Sequence, residues 1–314
     1  LNRGNYNTFK GFCCKIYPIL NERFVLQQFW QKLKDISDLI VFKHSVFALP
    51  FIFVAMIVSS KAQSGSLWFG FKLLILGLLA AVSARNFAMA FNRYADRDID
   101  KNNPRTANRP SVDGRIGALN MQLFILLNAL VFIAVASLIN DLAFHMSVPI
   151  LIILGGYSLF KRFSPYAHLV LGVSLGLAPI AGVVAVQESI PLWSILLSIG
   201  VMYWVAGFDL LYSLQDMDYD KTNGLFSIPS RFGKEATFFI SRLFHAQTIL
   251  FWLLFALSAN LGLFAYIGVA LAAIVLFFEH RIVLKDFSKI DRAFFTLNGY
   301  LGVIFFGFIL IDRM

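Results

Sequence analysis

Long apolar runs, broken by short polar segments, fill most of the chain. A membrane-crossing helix needs about 20 mostly apolar residues. Nine runs come near that length: residues 39–59, 67–91, 118–138, 144–160, 167–186, 192–214, 236–259, 261–280 and 293–311. The fourth is short, and the first carries Lys43 and His44 near its start. The pattern predicts an all-α integral membrane bundle of nine transmembrane helices, forming one membrane domain over residues 37–314. Residues 1–36 read as a cytoplasmic lead-in without an apolar core of signal-peptide kind, and residues 24–33 within it as a surface amphipathic helix.

The basic residues sort by this alternation. With nine spans and the N-terminus inside, one face collects 24 of the 27 Lys and Arg, and the other holds only Lys61, Lys72 and Arg313. Excess Lys and Arg marks the cytoplasmic side. The expected orientation therefore puts the N-terminus inside and the C-terminus outside. A miscount of one span would scramble the asymmetry.

Composition points the same way. The chain is 58% hydrophobic and 14% charged, with a mean hydropathy of +0.71, whereas soluble domains carry about 25% charged residues. A water-soluble globule is excluded. Orientation and contact with an anionic lipid bilayer account for the net charge of +9, so no nucleic-acid partner is implied. Cys13 and Cys14 are adjacent and match no zinc spacing. His44, His145, His168, His245 and His280 are scattered, and each reads as a helix-end residue rather than a ligand. The 34 Phe read as lipid-facing and bundle-filling.

The acidic residues do not follow this bland pattern. Seven of the 18 lie in two short stretches at the inner ends of the second and sixth spans. The first runs Asn92-Arg-Tyr-Ala-Asp96-Arg-Asp98-Ile-Asp100, and the second contains Asp209, Tyr212, Asp216, Asp218 and Asp220. Carboxylates at membrane depth are costly and usually functional. Asn92, Asp96 and Asp100 are spaced by four, as are Tyr212, Asp216 and Asp220, so each set forms one ridge on a helix. Like charges so stacked repel unless a cation joins them. Hard oxygen ligands suit Mg²⁺, commonly held by one or two carboxylates plus substrate phosphates. Asp96 to Asp216 and Asp100 to Asp220 are each 120 residues apart, which reads as an internal repeat. Two facing ridges would hold magnesium around one diphosphate.

Direct cations for a diphosphate follow. Arg105 and Arg109 come after the first stretch, and Lys161 and Arg162 end the fourth span. Arg85 lies two turns before Asn92, deeper on the same face. It reads either as a salt-bridge partner of Asp209 or as a ligand for the carboxylate of an aromatic acid.

At these stretches the chain resembles the UbiA superfamily of membrane aromatic prenyltransferases. The matching residues are Asn92-x3-Asp96-x3-Asp100 and Asp209-x2-Tyr212-x3-Asp216-x3-Asp220, supported by the segment from Lys43 to Pro50, by Arg105-Thr-Ala-Asn-Arg109-Pro110 and by Lys161-Arg162. The resemblance implies a nine-helix bundle around a polar central cavity open to the cytoplasmic side. It also implies Mg²⁺ and a polyprenyl diphosphate donor. Asn92, Asp96, Asp100, Asp216 and Asp220 would be the magnesium residues, the four carboxylates being catalytic. Arg105, Arg109, Lys161 and Arg162 would bind diphosphate, with Arg85, Asp209 and Tyr212 on the side of the aromatic acceptor. The segment from Asp216 to Gly233 resembles the bacterial quinone-biosynthesis branch, which implies a bacterial inner membrane. The acceptor is then 4-hydroxybenzoate or 1,4-dihydroxy-6-naphthoate. Arg93, after Asn92, departs from many ubiquinone-pathway members, which carry Asp there, and leaves the acceptor open. The competing reading is a cation-coupled membrane transporter using the same acidic helix ends.

Overall fold

The computed structural model describes residues 27, 30–32, 34–39, 47–286, 290 and 293–314. Most of the lead-in, with Lys43 and His44, lies outside these residues. The described residues form helices and no strands. In chain order they are α1 (Leu49–Ser64), α2 (Phe71–Ala95), α3 (Arg97–Asn102), α4 (Ala118–Ile139), α5 (Asp141–Gly156), α6 (Ala167–Gln187), α7 (Leu192–Ser213), α8 (Met217–Thr222), α9 (Ile228–Ser258), α10 (Leu263–Lys285) and α11 (Asn298–Arg313). A 3-10 segment, Tyr157–Arg162, prolongs α5, and a π turn, Ala293–Leu297, leads into α11. Among the described residues, eight helices are long and apolar enough to cross a membrane once the 3-10 segment is counted with α5 and the π turn with α11. The first expected span appears as the shorter apolar helix α1, of 16 residues.

The ends follow local chemistry more than hydropathy. α9 begins eight residues before the apolar run does, because Ser227 and Ser230 form a reciprocal capping box and Pro229 sits in the first turn. Gly233, at φ 80° and ψ 177°, interrupts α9 one turn later, in a conformation open only to glycine at little cost. Asn140 caps α5 by accepting a hydrogen bond from the backbone of Ala143 at 2.8 Å.

Helices α1, α6, α7, α9, α10 and α11 pack side by side as a closed ring, and α2, α4 and α5 pack against one another beside it. In lipid there is no hydrophobic force between helices, so close approach rests on small residues. A Cβ on Gly172 of α6 would stand 2.3 Å from the carbonyl oxygen of Met202 in α7, and one on Gly182 would stand 2.6 Å from the carbonyl oxygen of Ile52 in α1. On α7, Gly200 and Gly207 accept the rings of Trp252 and His245 from α9.

The protein core sits in the ring. Phe51, Trp204, Trp252 and Phe305 are fully buried, with Phe51 and Trp204 ring centres 5.1 Å apart and Trp252 and Phe305 stacked at 4.5 Å. One buried polar chain runs through it: Trp204 donates to Asn298 at 2.8 Å, and Asn298 donates to Glu279 at 2.8 Å. The outside is apolar. Leu119, Leu123, Leu126, Leu127 and Leu130 of α4 are all exposed, as a lipid-facing surface requires.

Candidate active site

Both acidic ridges run through a break in their helix. α2 ends at Ala95, Asp96 takes φ −94° and ψ 8°, and the six-residue α3 follows. α7 ends at Ser213, a 3-10 turn carries the chain to Asp216 at φ −100° and ψ 1°, and the six-residue α8 follows. The expected ridges are thus not parts of continuous helices. The repeat nevertheless extends to backbone conformation, since Asp96 and Asp216 occupy the same break.

The two breaks touch. The hydroxyl of Tyr219 in α8 donates to the carbonyl oxygen of Ile99 in α3 at 2.8 Å. Asn103, just after α3, donates to Asp216 at 3.2 Å. Arg105 closes on Asp216 with Nε at 2.9 Å and with NH2, and its NH1 reaches the hydroxyl of Tyr212 at 3.1 Å. Arg109 pairs with Asp100 at 2.6 Å. Lys161, from the end of α5, pairs with Asp96 at 2.7 Å. Asn92 donates to the same carboxylate at 3.1 Å.

These side chains form the polar mouth of a cavity of about 480 Å³. Asn92, Asp96, Asp100, Arg105, Arg109, Lys161, Asp216 and Asp220 all line it, with Arg85, Asp209 and Tyr212. Its walls come from α1, α2, α4, α5, α6 and α7 and are largely apolar. Phe47, Tyr157 and Tyr212 face it.

Burial and charge separate the acids. Asp96 and Asp100 are each 3% exposed. Burial holds the Asp96 carboxyl above the usual carboxylate range, outweighing the neighbouring Lys161 ammonium. Its Oδ1 is buried with no hydrogen-bond partner among the described residues. Lys161 meets only the other oxygen of this carboxylate, so Oδ1 is open to a further ligand. Among the described residues no three acids or imidazoles stand close enough to cage a metal alone. A site supplying one or two carboxylates from each ridge, completed by phosphate oxygens, is the arrangement that suits Mg²⁺.

The structure gives Arg162, Asp209 and His168 surroundings that the spacing does not show. Arg162 is held at the surface, with its guanidinium on Asp98 at 2.8 and 3.0 Å. Those hydrogen bonds pull the Asp98 carboxyl down to about 2. Successive residues of a 3-10 segment point roughly 120° apart, so Lys161 turns inward and Arg162 does not. Asp209 has His168 as its hydrogen-bond partner, with Nδ1 at 2.7 Å from Oδ2. His168 stands at a helix end as expected, the start of α6, and is also buried and lines the cavity. Arg93 and Asn103, also lining the cavity, had been given no role. Arg93 follows the predicted ligand Asn92, which is a weak signal. Asn103 and His168 carry no spacing signal at all.

The chain matches the model of the UbiA prenyltransferase family over residues 48–308. It is 28% identical over 246 residues to a 4-hydroxybenzoate octaprenyltransferase of Burkholderia ambifaria, covering 74% of this chain and 80% of the relative. It is 30% identical over 223 residues to one of Cupriavidus pinatubonensis, covering 71% and 78%. The apo structure of a UbiA homolog from Aeropyrum pernix superposes with a TM-score of 0.76 at 32% identity, covering 86% of this chain and 98% of that one. A UbiA homolog from Archaeoglobus fulgidus bound to GPP and Mg²⁺ shares the fold at a TM-score of 0.70 and 19% identity, covering 89% and 99%.

Proposed function

Since this chain belongs to the UbiA prenyltransferase family, we propose that it moves a polyprenyl group from a polyprenyl diphosphate to the ring of an aromatic hydroxy acid, with Mg²⁺, in quinone biosynthesis. It is an enzyme of a prenyl-transferring family rather than a cation-coupled transporter. The acceptor is 4-hydroxybenzoate, as in the names of the relatives, or 1,4-dihydroxy-6-naphthoate. The enzyme spans a bacterial inner membrane nine times, counting α1, with its N-terminus and the cavity mouth on the cytoplasmic side.

One observation carries the reading. Two acidic ridges 120 residues apart converge on a single apolar-walled cavity, the second joined to Arg105 that follows the first, and the first to Arg109 and to Lys161 from the end of α5. Asn92, Asp96 and Asp100 on one side, and Asp216 and Asp220 on the other, would hold magnesium. The buried, unpartnered Oδ1 of Asp96 fits that role. When bound, the metal neutralises charge building on the departing diphosphate. Arg105, Arg109 and Lys161 supply further positive charge at the mouth, fixed before the reaction starts. The apolar walls exclude water that would quench the allylic cation, and the faces of Phe47, Tyr157 and Tyr212 are placed to stabilise it. Arg85, deeper in the cavity, orients the acceptor by its carboxylate.

The test is direct. Purified protein in lipid is given Mg²⁺, a polyprenyl diphosphate and each acceptor in turn, and products are read by mass. A prenylated acid that disappears with chelator is expected. Diphosphate release with no prenylated product from any acceptor would sink the assignment.

A further inference from the structure

The ring carbon that gains the prenyl group must lose a proton, and a base has to take it. Of the magnesium-side acids, Asp216, Asp100 and Asp96 are engaged by Arg105, Arg109 and Lys161. His168 stands apart from them. It is the second residue of α6, 6% exposed, and lines the same cavity as Arg85, Tyr157 and Tyr212. Its Nδ1 lies 2.7 Å from Oδ2 of Asp209 on α7. Its Nε2 is buried and has no hydrogen-bond partner among the described residues.

A carboxylate facing Nδ1 accepts a hydrogen bond from Nδ1–H and so keeps the proton on that nitrogen, which leaves the lone pair on Nε2. The same carboxylate steadies the imidazolium once Nε2 is protonated, the logic of base and orienting acid seen in nucleophile-activating triads. An unsatisfied buried ring nitrogen is costly unless something is meant to meet it.

We propose that His168 is the base of the alkylation, with Asp209 as its positioning residue; this rests on the function proposed above. The allylic C–O bond breaks and its electrons leave with the diphosphate. The ring carbon beside the acceptor hydroxyl bonds to the allylic carbon. The C–H electrons of that ring carbon return to the ring, and the proton passes to Nε2 of His168. It then leaves to water at the polar mouth. Asp209 thus acts on the acceptor through His168.

The experiment uses the full chain in lipid with geranyl diphosphate, Mg²⁺ and 4-hydroxybenzoate or 1,4-dihydroxy-6-naphthoate. His168→Ala should lower kcat by about 100- to 10,000-fold, the usual range for loss of a general base, while KM for geranyl diphosphate stays near the wild-type value. Added imidazole should restore turnover saturably. Acceptor deuterated at the reacting ring carbons should show a primary isotope effect in the variant that wild type lacks. His168→Gln, which keeps a hydrogen bond to Asp209, serves if the alanine variant unfolds, and is read by the same isotope effect. Near-normal kcat in either variant, or a loss with neither imidazole rescue nor isotope effect, overturns the base assignment. A wild-type protein inert toward both acceptors overturns the proposed function and this inference together.

Discussion

Two acids two residues apart show how strongly surroundings decide a role. Asp96 is buried, carries an oxygen without a partner and is held above the usual carboxylate range by desolvation. Asp98 faces outward and is tied to Arg162. Asp96→Asn should lower the prenylation rate by about 100-fold or more, the scale seen when one preorganised charge contact is lost, while the melting temperature in detergent moves little. Asp98→Asn should leave the rate unchanged. Its effect on stability follows from the carboxyl at about 2, set first by the Arg162 hydrogen bonds. A carboxyl held low in the folded state stabilises above its unfolded value of about 3.9 and loses that contribution as pH falls through the folded value. The gap in melting temperature between wild type and Asp98→Asn should therefore be flat from neutral pH down to about 5, and close only between about 4 and 2. The pair is exposed, so its worth is about 1 kcal/mol or less. The fourfold spacing made Asp96 and Asp216 legible in the sequence. His168 was not legible, because a single imidazole has no spacing, and only the meeting of α6 and α7 gives it Asp209.

Among the helices, apolar length located most of the spans, but the ends were decided by polar detail that hydropathy does not weigh. The start of α9 at Ile228 lies within a polar stretch and depends on the Ser227 capping box. The breaks at Asp96 and Asp216 were hidden because the fourfold pattern continues unbroken through them. Helix contacts were also invisible in advance, since they reside in glycines whose neighbours come from elsewhere in the chain. Gly172→Ala would press a methyl group against the Met202 carbonyl oxygen at 2.3 Å, and backbone cannot turn aside. We expect a loss of about 1–3 kcal/mol, the usual cost of overpacking, read as a lower melting temperature. Gly299→Ala, near the start of α11 with nothing within 4 Å of the added carbon, is the control. It should melt at the wild-type temperature or slightly above it, by up to about 1 kcal/mol of helix propensity.

For the whole molecule, the sequence spoke most clearly through charge. The asymmetry of Lys and Arg gives a sidedness that cysteine labelling tests. In a Cys13→Ser, Cys14→Ser background, Ser66→Cys and Ser189→Cys should react with a membrane-impermeant maleimide on intact cells. Asn223→Cys should react only after permeabilisation. Reaction of all three on intact cells would refute the orientation. A further consequence lies in the pairing of Arg105 with Asp216, Arg109 with Asp100 and Lys161 with Asp96. The resting mouth is self-neutralised. A lone divalent ion arriving there competes with tethered guanidinium and ammonium groups for the same oxygens, whereas an ion already chelated by the prenyl donor brings anionic oxygens that those groups can adopt in exchange. Loading should thus be a swap of partners in which donor and ion enter as one species, and the spent pyrophosphate should carry its ion away when it departs.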